Sequence, residues 1–368
     1  MLLKSFPHRV SITCRSGNVR DILDYYGYCF NESLVFGISS PLYFSFVLPK
    51  EAEENVDFTL FTGTNHNGFE TLGIHMGLHY ASWVRDSREQ AWDHIASLLE
   101  EGHPVLLDVI LSVYLNQLET VKYQGMIEED NVSKKEERFV TYSESFFDEL
   151  STQLGTHVAL LIGMDQSKNE AYVIENSLTR MQTIPLDKLQ QAMDPKGSTL
   201  MHVRNRYGVY FIPDKLPSLS AVIKNAIRAN VHAMIYESRK QHGVKGLHTF
   251  AQRLPQLRDL LSPTELYNTL HMMFYMSEIA SGGGLYRRLY AHFLREASGI
   301  VQDERLLDAS KAYMRIARNW RKLTRTLING INQSDQVLTS PETVQLCQSI
   351  AEQECEVLYK LEEISNQW

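Results

Sequence analysis

Apolar residues in the first half of the chain fall into short runs broken by turn signals. Gly102-His103-Pro104 separates a helically spaced stretch, Gln90 to Glu101, from Val105-Leu106-Leu107-Asp108-Val109-Ile110, which predicts a strand. His157-Val158-Ala159-Leu160-Leu161-Ile162-Gly163 predicts another. Asp165-Gln166-Ser167-Lys168-Asn169 is a polar turn, and Ala171-Tyr172-Val173-Ile174-Glu175-Asn176 reads as the returning strand of a hairpin. A further run, Gly208-Val209-Tyr210-Phe211-Ile212-Pro213, ends at a proline. Between Gln124 and Arg138 the chain turns charged and loses its period, which predicts an exposed loop at about 124–138. Beyond Pro217 the character changes: prolines thin out, and apolar residues recur at helical spacing from Ser218 to Gln367. The pattern predicts an α+β domain, 1–216, followed by an all-α helical domain, 217–368.

Composition narrows the function classes without naming one. At 368 residues and 43% hydrophobic, the chain can bury two cores. A net charge of -8 removes any bulk attraction to nucleic acid. No apolar run approaches the roughly 18 residues of a membrane span, and the opening MLLKSFPHRV lacks a signal peptide's apolar stretch. Four cysteines (Cys14, Cys29, Cys347, Cys355) are too few and too scattered for a disulfide scaffold or a CxxC zinc site. A reduced, cytoplasmic enzyme is the expectation, with no nucleic-acid or membrane partner.

Chemistry enters at Cys14. From Ser16 onward Val19, Ile22, Leu23 and Tyr26 recur at helical spacing, and Gly27 suits the stop. Cys14 therefore falls at or just before a helix N-terminus, where unpaired N–H groups and the positive dipole end favour thiolate. The same N–H groups can stabilise an oxyanion. The plain alternative is a small buried cysteine. His157 opens its strand after Gly155-Thr156, where a base can face a cleft. Nineteen positions on, Asn176 ends the hairpin partner, and its amide can hold the imidazole in one tautomer. Glu175 is the rival, but period-2 alternation sends it to the other face of the strand from Asn176. The plain alternative is a packing histidine beside a polar turn, but order and spacing together favour catalysis.

Several stretches together resemble the butirosin-biosynthesis acyltransferase (BtrH) family. They are Cys14-Arg15-Ser16-Gly17-Asn18-Val19-Arg20, Tyr26-Gly27 and Asn31-Glu32-Ser33-Leu34-Val35-Phe36-Gly37-Ile38, then Gly102-His103-Pro104-Val105 with Asp108 and Tyr114. Gly155-Thr156-His157-Val158-Ala159 and Pro185-Leu186-Asp187-Lys188-Leu189-Gln190-Gln191-Ala192 add to the likeness. In the helical half, Gly283-Gly284-Leu285-Tyr286-Arg287-Arg288-Leu289-Tyr290-Ala291-His292-Phe293-Leu294-Arg295-Glu296-Ala297 resembles the C-terminal domain that accompanies the family. The resemblance implies a papain-like cysteine-protease fold turned to acyl transfer in natural-product assembly. It implies Cys14 as nucleophile, His157 as base and Asn176 as orienting residue, with a carrier-protein thioester as donor and an amine as acceptor. Thr13 stands where the family often has histidine, and Asn176 where aspartate is common.

Other residues are weighed against that reading. Glu32 either binds the acceptor amine or caps a helix. Asp108 and Tyr114 either line the cleft or edge a strand. Arg287, near Gly282-Gly283-Gly284, either meets the phosphate of the donor's phosphopantetheine or forms an internal salt bridge. His75 and His79 have HxxxH spacing without an HExxH glutamate, so alternating strand residues are expected and no metal. Lys311, Arg315, Arg318, Arg321, Lys322 and Arg325 occur with no intervening acid, which makes Lys311 to Arg325 a docking face for an acyl or peptidyl carrier protein, or a solvated helix face. Cys347 and Cys355 look like packing residues. No cofactor of the protein's own is expected. The function expected is amide formation through a Cys14 acyl-enzyme; a cysteine hydrolase (peptidase or thioesterase) and a non-catalytic binding protein are the alternatives.

Overall fold

A computed structural model describes residues 1–52, 59–65, 67–115, 117–118, 156–194, 204–331 and 335–368. The loop expected at about 124–138 lies outside them. In chain order the elements are α1 (Cys14–Tyr25), a helix Glu32–Ile38, β1 (Leu42–Val47), β2 (Leu60–Thr64), a helix Gly68–Met76 and β3 (His79–Trp83). The helix Arg88–Glu100 and β4 (Val105–Ile110) follow, then a short helix Leu111–Leu115, β5 (Thr156–Asp165), β6 (Glu170–Ile174), β7 (Gln182–Pro185), the helix Leu186–Ala192 and β8 (Tyr207–Phe211). From Leu219 on, the described elements are helical. The architecture is α+β. Among the described residues no helix is long and apolar enough to cross a membrane.

The chain divides into two compact units. One comprises Met1–Cys29 and Tyr80–Phe211, the other Phe30–His79 and Ile212–Trp368. A single cut after residue 216 does not describe this division, because Phe30–His79 leaves the first unit and joins the C-terminal helices. The reason is aromatic burial. Phe44 and Phe46 of β1 and Phe61 of β2 are almost fully buried, and Phe250 and Trp320 supply their partners. Ring centroids lie 5.0 Å apart for Phe46–Phe250 and 5.7 Å for Phe44–Trp320. Such pairs add about 0.5–1.5 kcal/mol each beyond the area they bury.

The first unit is built on a six-stranded sheet of order β3-β8-β4-β5-β6-β7. The β4–β5, β4–β8, β5–β6 and β6–β7 pairs are antiparallel. One set of alternating residues, Val105, Leu107 and Val109 with Ala159, Leu161, Ala171 and Val173, joins a core with Trp92, Ile95, Leu98 and Leu99 of the helix Arg88–Glu100. The α1 helix is pinned to β5 by the buried Asn18, whose Nδ2 donates to Val158 O at 2.9 Å.

In the second unit, Gly282, Gly283 and Gly284 all have positive φ, and Leu285 and Tyr286 follow in the same region before the helix Arg287–Val301 begins. A Cβ on Gly284 would meet Ala317 at 2.5 Å, so only glycine permits this approach to the helix Arg305–Ile331. The triple glycine thus turns the chain ahead of the helix Arg287–Val301.

Candidate active site

Thr13 caps α1: its Oγ1 accepts from Ser16 N at 3.1 Å and meets Ser16 Oγ at 2.6 Å. Cys14 is consequently the first helical residue, half-buried. Gly17, one turn on, lies so close to Ser11 that a Cβ there would meet Ser11 Oγ at 1.8 Å. The segment leading into α1 is thereby seated against the helix.

His157 stands near the start of β5, opposite Val109 of β4. Its ring stacks on that of Tyr114, with centroids 5.6 Å apart and an interplanar angle of 26°. Nε2 lies 2.9 Å from Oε2 of Glu175, a side chain 2% exposed. That leaves Nδ1 for the thiol, and the Cys14 and His157 side chains are in hydrogen-bonding contact. Glu175 is held in turn by Ser177, whose Oγ donates to Oε1 at 3.4 Å.

The electrostatics follow from these contacts. Burial alone would push the Cys14 thiol up, but the adjacent His157 charge and hydrogen bond, with Arg15 and the Val158 N–H, outweigh it and hold the thiol below its ordinary value. Burial alone would likewise lower His157. The Glu175 carboxylate and the Cys14 thiolate overcome that and raise the imidazole well above its usual range. The shifts point the same way: each group favours the thiolate–imidazolium form of the other, and the pair titrates as a unit. A thiolate at a helix N-terminus, beside an acid and a buried carboxylate, can attack a carbonyl and return a proton to a leaving group.

The third position differs from expectation. Asn176 is not the imidazole's partner; its Nδ2 donates to Ser11 O at 3.2 Å, and its carbonyl accepts from Ser11 N at 2.8 Å. Alternation does separate Glu175 from Asn176. The phase is the reverse of that expected, because Leu161 pairs with Val173 and Ala171, Val173 and then Glu175 continue the face of Ala159 and His157. Parity alone does not single out Glu175, since Tyr172 and Ile174 of the other face are also apolar; the pairing of Leu161 with Val173 does. Asn176 instead ties down the segment that leads into Cys14.

The remaining expected site residues are distributed as follows. Tyr114 is fully buried and packs on His157, so it offers a ligand no surface, contrary to a cleft-lining role. Asp108 sits on β4 with Arg206 Nε 3.7 Å from its Oδ2. Glu32 belongs to the second unit, half-buried in the first turn of the helix Glu32–Ile38, where the dipole favours a carboxylate. Its neighbours Asn31 and Ser33 donate to Glu296 at 2.9 and 3.1 Å. His75 lies in the helix Gly68–Met76 and not in a strand, with Nδ1 2.7 Å from Ile38 O; His79 opens β3.

Arg287 cannot meet a phosphate. Its side chain is 0% exposed, and its donors engage Glu354 at 2.6–3.1 Å and the carbonyls of Gly63 and Leu285. Arg287→Met is expected to cost about 3–5 kcal/mol in chemical denaturation, because Glu354 is left charged and buried. Arg287→Met with Glu354→Leu should recover most of that loss; equal destabilisation of single and double variants would refute the ion-pair account.

On the helix Arg305–Ile331, Arg315, Arg318, Lys322 and Arg325 are exposed at helical spacing. Arg321 and Arg325 reach Glu278 at 3.3 and 2.7 Å, and Lys311 reaches Asp308 at 3.0 Å. Cys347 and Cys355 are buried. Cys355 Sγ lies 3.3 Å from His248 Nε2, yet burial and the Glu354 and Glu352 charges push its thiol up to about 12. Proximity of thiol and imidazole is therefore not sufficient; the carboxylate behind the ring and the helix terminus separate Cys14 from Cys355.

An α+β protein carrying a Cys–His–Glu constellation is the class that fold and site define. Residues 13–120 match the family model of butirosin biosynthesis protein H, N-terminal, and residues 187–361 match a domain of unknown function (DUF4872). Residues 13–120 are thus similar to the N-terminal part of the butirosin biosynthesis protein H family. No curated protein matches it.

Proposed function

We propose that the protein is a cysteine-dependent acyltransferase of antibiotic or related natural-product biosynthesis, on a papain-like fold, forming an amide from a carrier-bound acyl or aminoacyl thioester and an amine. The observation that carries this reading is the Cys14 thiol at the start of α1, in contact with a His157 imidazole that Glu175 holds. The family's name adds the biosynthetic setting.

The reaction balances without an external reagent. The Cys14 thiolate attacks the thioester carbonyl, and N–H groups at the helix start stabilise the oxyanion. The carbon–sulfur bond to the donor's phosphopantetheine breaks, and His157 protonates the departing thiol. A neutral amine then attacks the acyl-enzyme and gives its proton to the now neutral His157. The tetrahedral adduct collapses to amide, expelling Cys14 thiolate and restoring the ion pair. Thioester to amide runs downhill, so no nucleotide is consumed. Arg315, Arg318 and Lys322 supply an exposed positive stripe that suits an acidic carrier protein.

The test is intact-mass analysis after incubation with a panel of acyl thioesters, with and without amines, against Cys14→Ala. The expected result is an acyl adduct on the wild type alone, discharged faster by amine than by water. Discharge at equal rates would establish a hydrolase instead. A Cys14 that also ignores a small thiol-reactive probe would end the catalytic reading.

A further inference from the structure

The segment ahead of Cys14 carries a histidine fixed at both ring nitrogens. His8 Nδ1 lies 2.6 Å from Asp21 Oδ2 on α1, and Nε2 lies 2.6 Å from the Leu178 carbonyl. A neutral imidazole has one N–H and one lone pair, whereas both partners here are acceptors. Two bonds to two acceptors require two ring protons, so the geometry is that of an imidazolium.

Its neighbours connect this ring to the proposed site. Asp21 is 1% exposed and also accepts from Arg20 Nε at 3.0 Å and Nη2 at 2.6 Å. Arg20 in turn donates to the carbonyls of Arg9 and Val10, tying down the same leading segment. On the other side, Leu178 N donates to Glu175 O at 3.0 Å, closing the turn whose first residue holds His157. One ring thus joins the nucleophile's helix to the turn of the orienting carboxylate.

Resting on the cysteine-nucleophile reading, we propose that His8 is a positioning residue which, as imidazolium, clamps the Glu175–Leu178 turn to α1 and so keeps Glu175 against His157. Its proton is well held. Burial works against the charge, but the bonds to Asp21 and Leu178 outweigh it and raise the ring above the ordinary imidazole value, with Arg20 opposing. The charged groups facing His8 are Asp21 and Arg20 from α1; the turn presents a carbonyl, and Arg9 beside it is paired with Asp24 at 2.7 Å. A raised imidazole contributes fully below its unfolded value of about 6.5, and the contribution is lost as pH rises through the raised value. The clamp therefore releases on the alkaline side.

The experiment uses the full chain and three readouts. Histidine-labelled NMR of the wild type should place the His8 titration above the ordinary imidazole value, with His157 signals inflecting a second time at the His8 midpoint. Melting temperatures of wild type and His8→Gln should differ most near pH 6 and converge at alkaline pH. Iodoacetamide alkylation of Cys14 should be about tenfold slower in His8→Gln at pH 6.5, the equivalent of one pKa unit, and equal at high pH.

A His8 that titrates at or below the ordinary value, or a melting difference that ignores pH, would overturn the clamp. So would a His157 titration blind to the His8 midpoint, a reading made on the wild type and independent of whether His8→Gln folds. A wild-type Cys14 no more reactive than an ordinary thiol at any pH would instead sink the nucleophile reading, while NMR and melting still decide the clamp.

Discussion

Glu175→Gln should slow acylation of Cys14 by about 10²-fold or more, while Asn176→Ala should cost less than about tenfold. The glutamine keeps the shape and can still accept from His157 Nε2 across the 2.9 Å contact. What it loses is the negative charge that raises the imidazole against the cost of burial. Without that charge the imidazolium is disfavoured, and the thiolate it stabilises with it. Asn176→Ala removes one hydrogen bond to Ser11 O, worth about 1 kcal/mol, and leaves the backbone bond between the same two residues. Single-turnover acylation with a reactive thioester reads both. The reverse order of effects would return the orienting role to Asn176.

The second large effect lies in the pH dependence of Cys14 alkylation. Because the thiol is lowered, thiolate persists as pH falls below the ordinary thiol value of about 8.5 and is lost only on passing through the lowered value. Removing the imidazolium with His157→Gln leaves burial opposed only by Arg15 and the Val158 N–H, so the thiol should rise and alkylation at pH 6 should fall by about 10²-fold. Cys355 provides a comparison within the same molecule: its thiol, pushed up to about 12, should stay inert throughout in both proteins. Peptide mass spectrometry resolves the two cysteines. Parallel profiles for wild type and His157→Gln would mean that no ion pair forms.

Local chemistry was legible in the sequence wherever near neighbours decide it. The start of α1 at Cys14 and its stop at Gly27 follow from apolar spacing, and β4, β5, β6 and β8 from their runs and turns, whereas the four-residue β7 is too short to show a pattern. Strand phase was not legible. Alternation separates Glu175 from Asn176, but which of them meets His157 depends on the pairing of Leu161 with Val173, a tertiary fact. Arg287 carries the same lesson. A basic residue after a glycine turn resembles a phosphate ligand until its partner Glu354, 67 positions on, is known. The excursion of Phe30–His79 was hidden for the same reason, since an amphipathic pattern reveals that a face is buried and not what buries it.

That excursion bears on how the chain can be inherited. The N-terminal family segment, 13–120, contains Phe44, Phe46 and Phe61, whose aromatic partners Phe250 and Trp320 lie in the other family segment, 187–361. Recombination between relatives anywhere between the two segments would set one lineage's β1 and β2 against another lineage's helices, in an interior too densely packed to accept a mismatched ring. A ring changed in one family segment is therefore felt in the other, and the two must match in shape wherever these side chains meet.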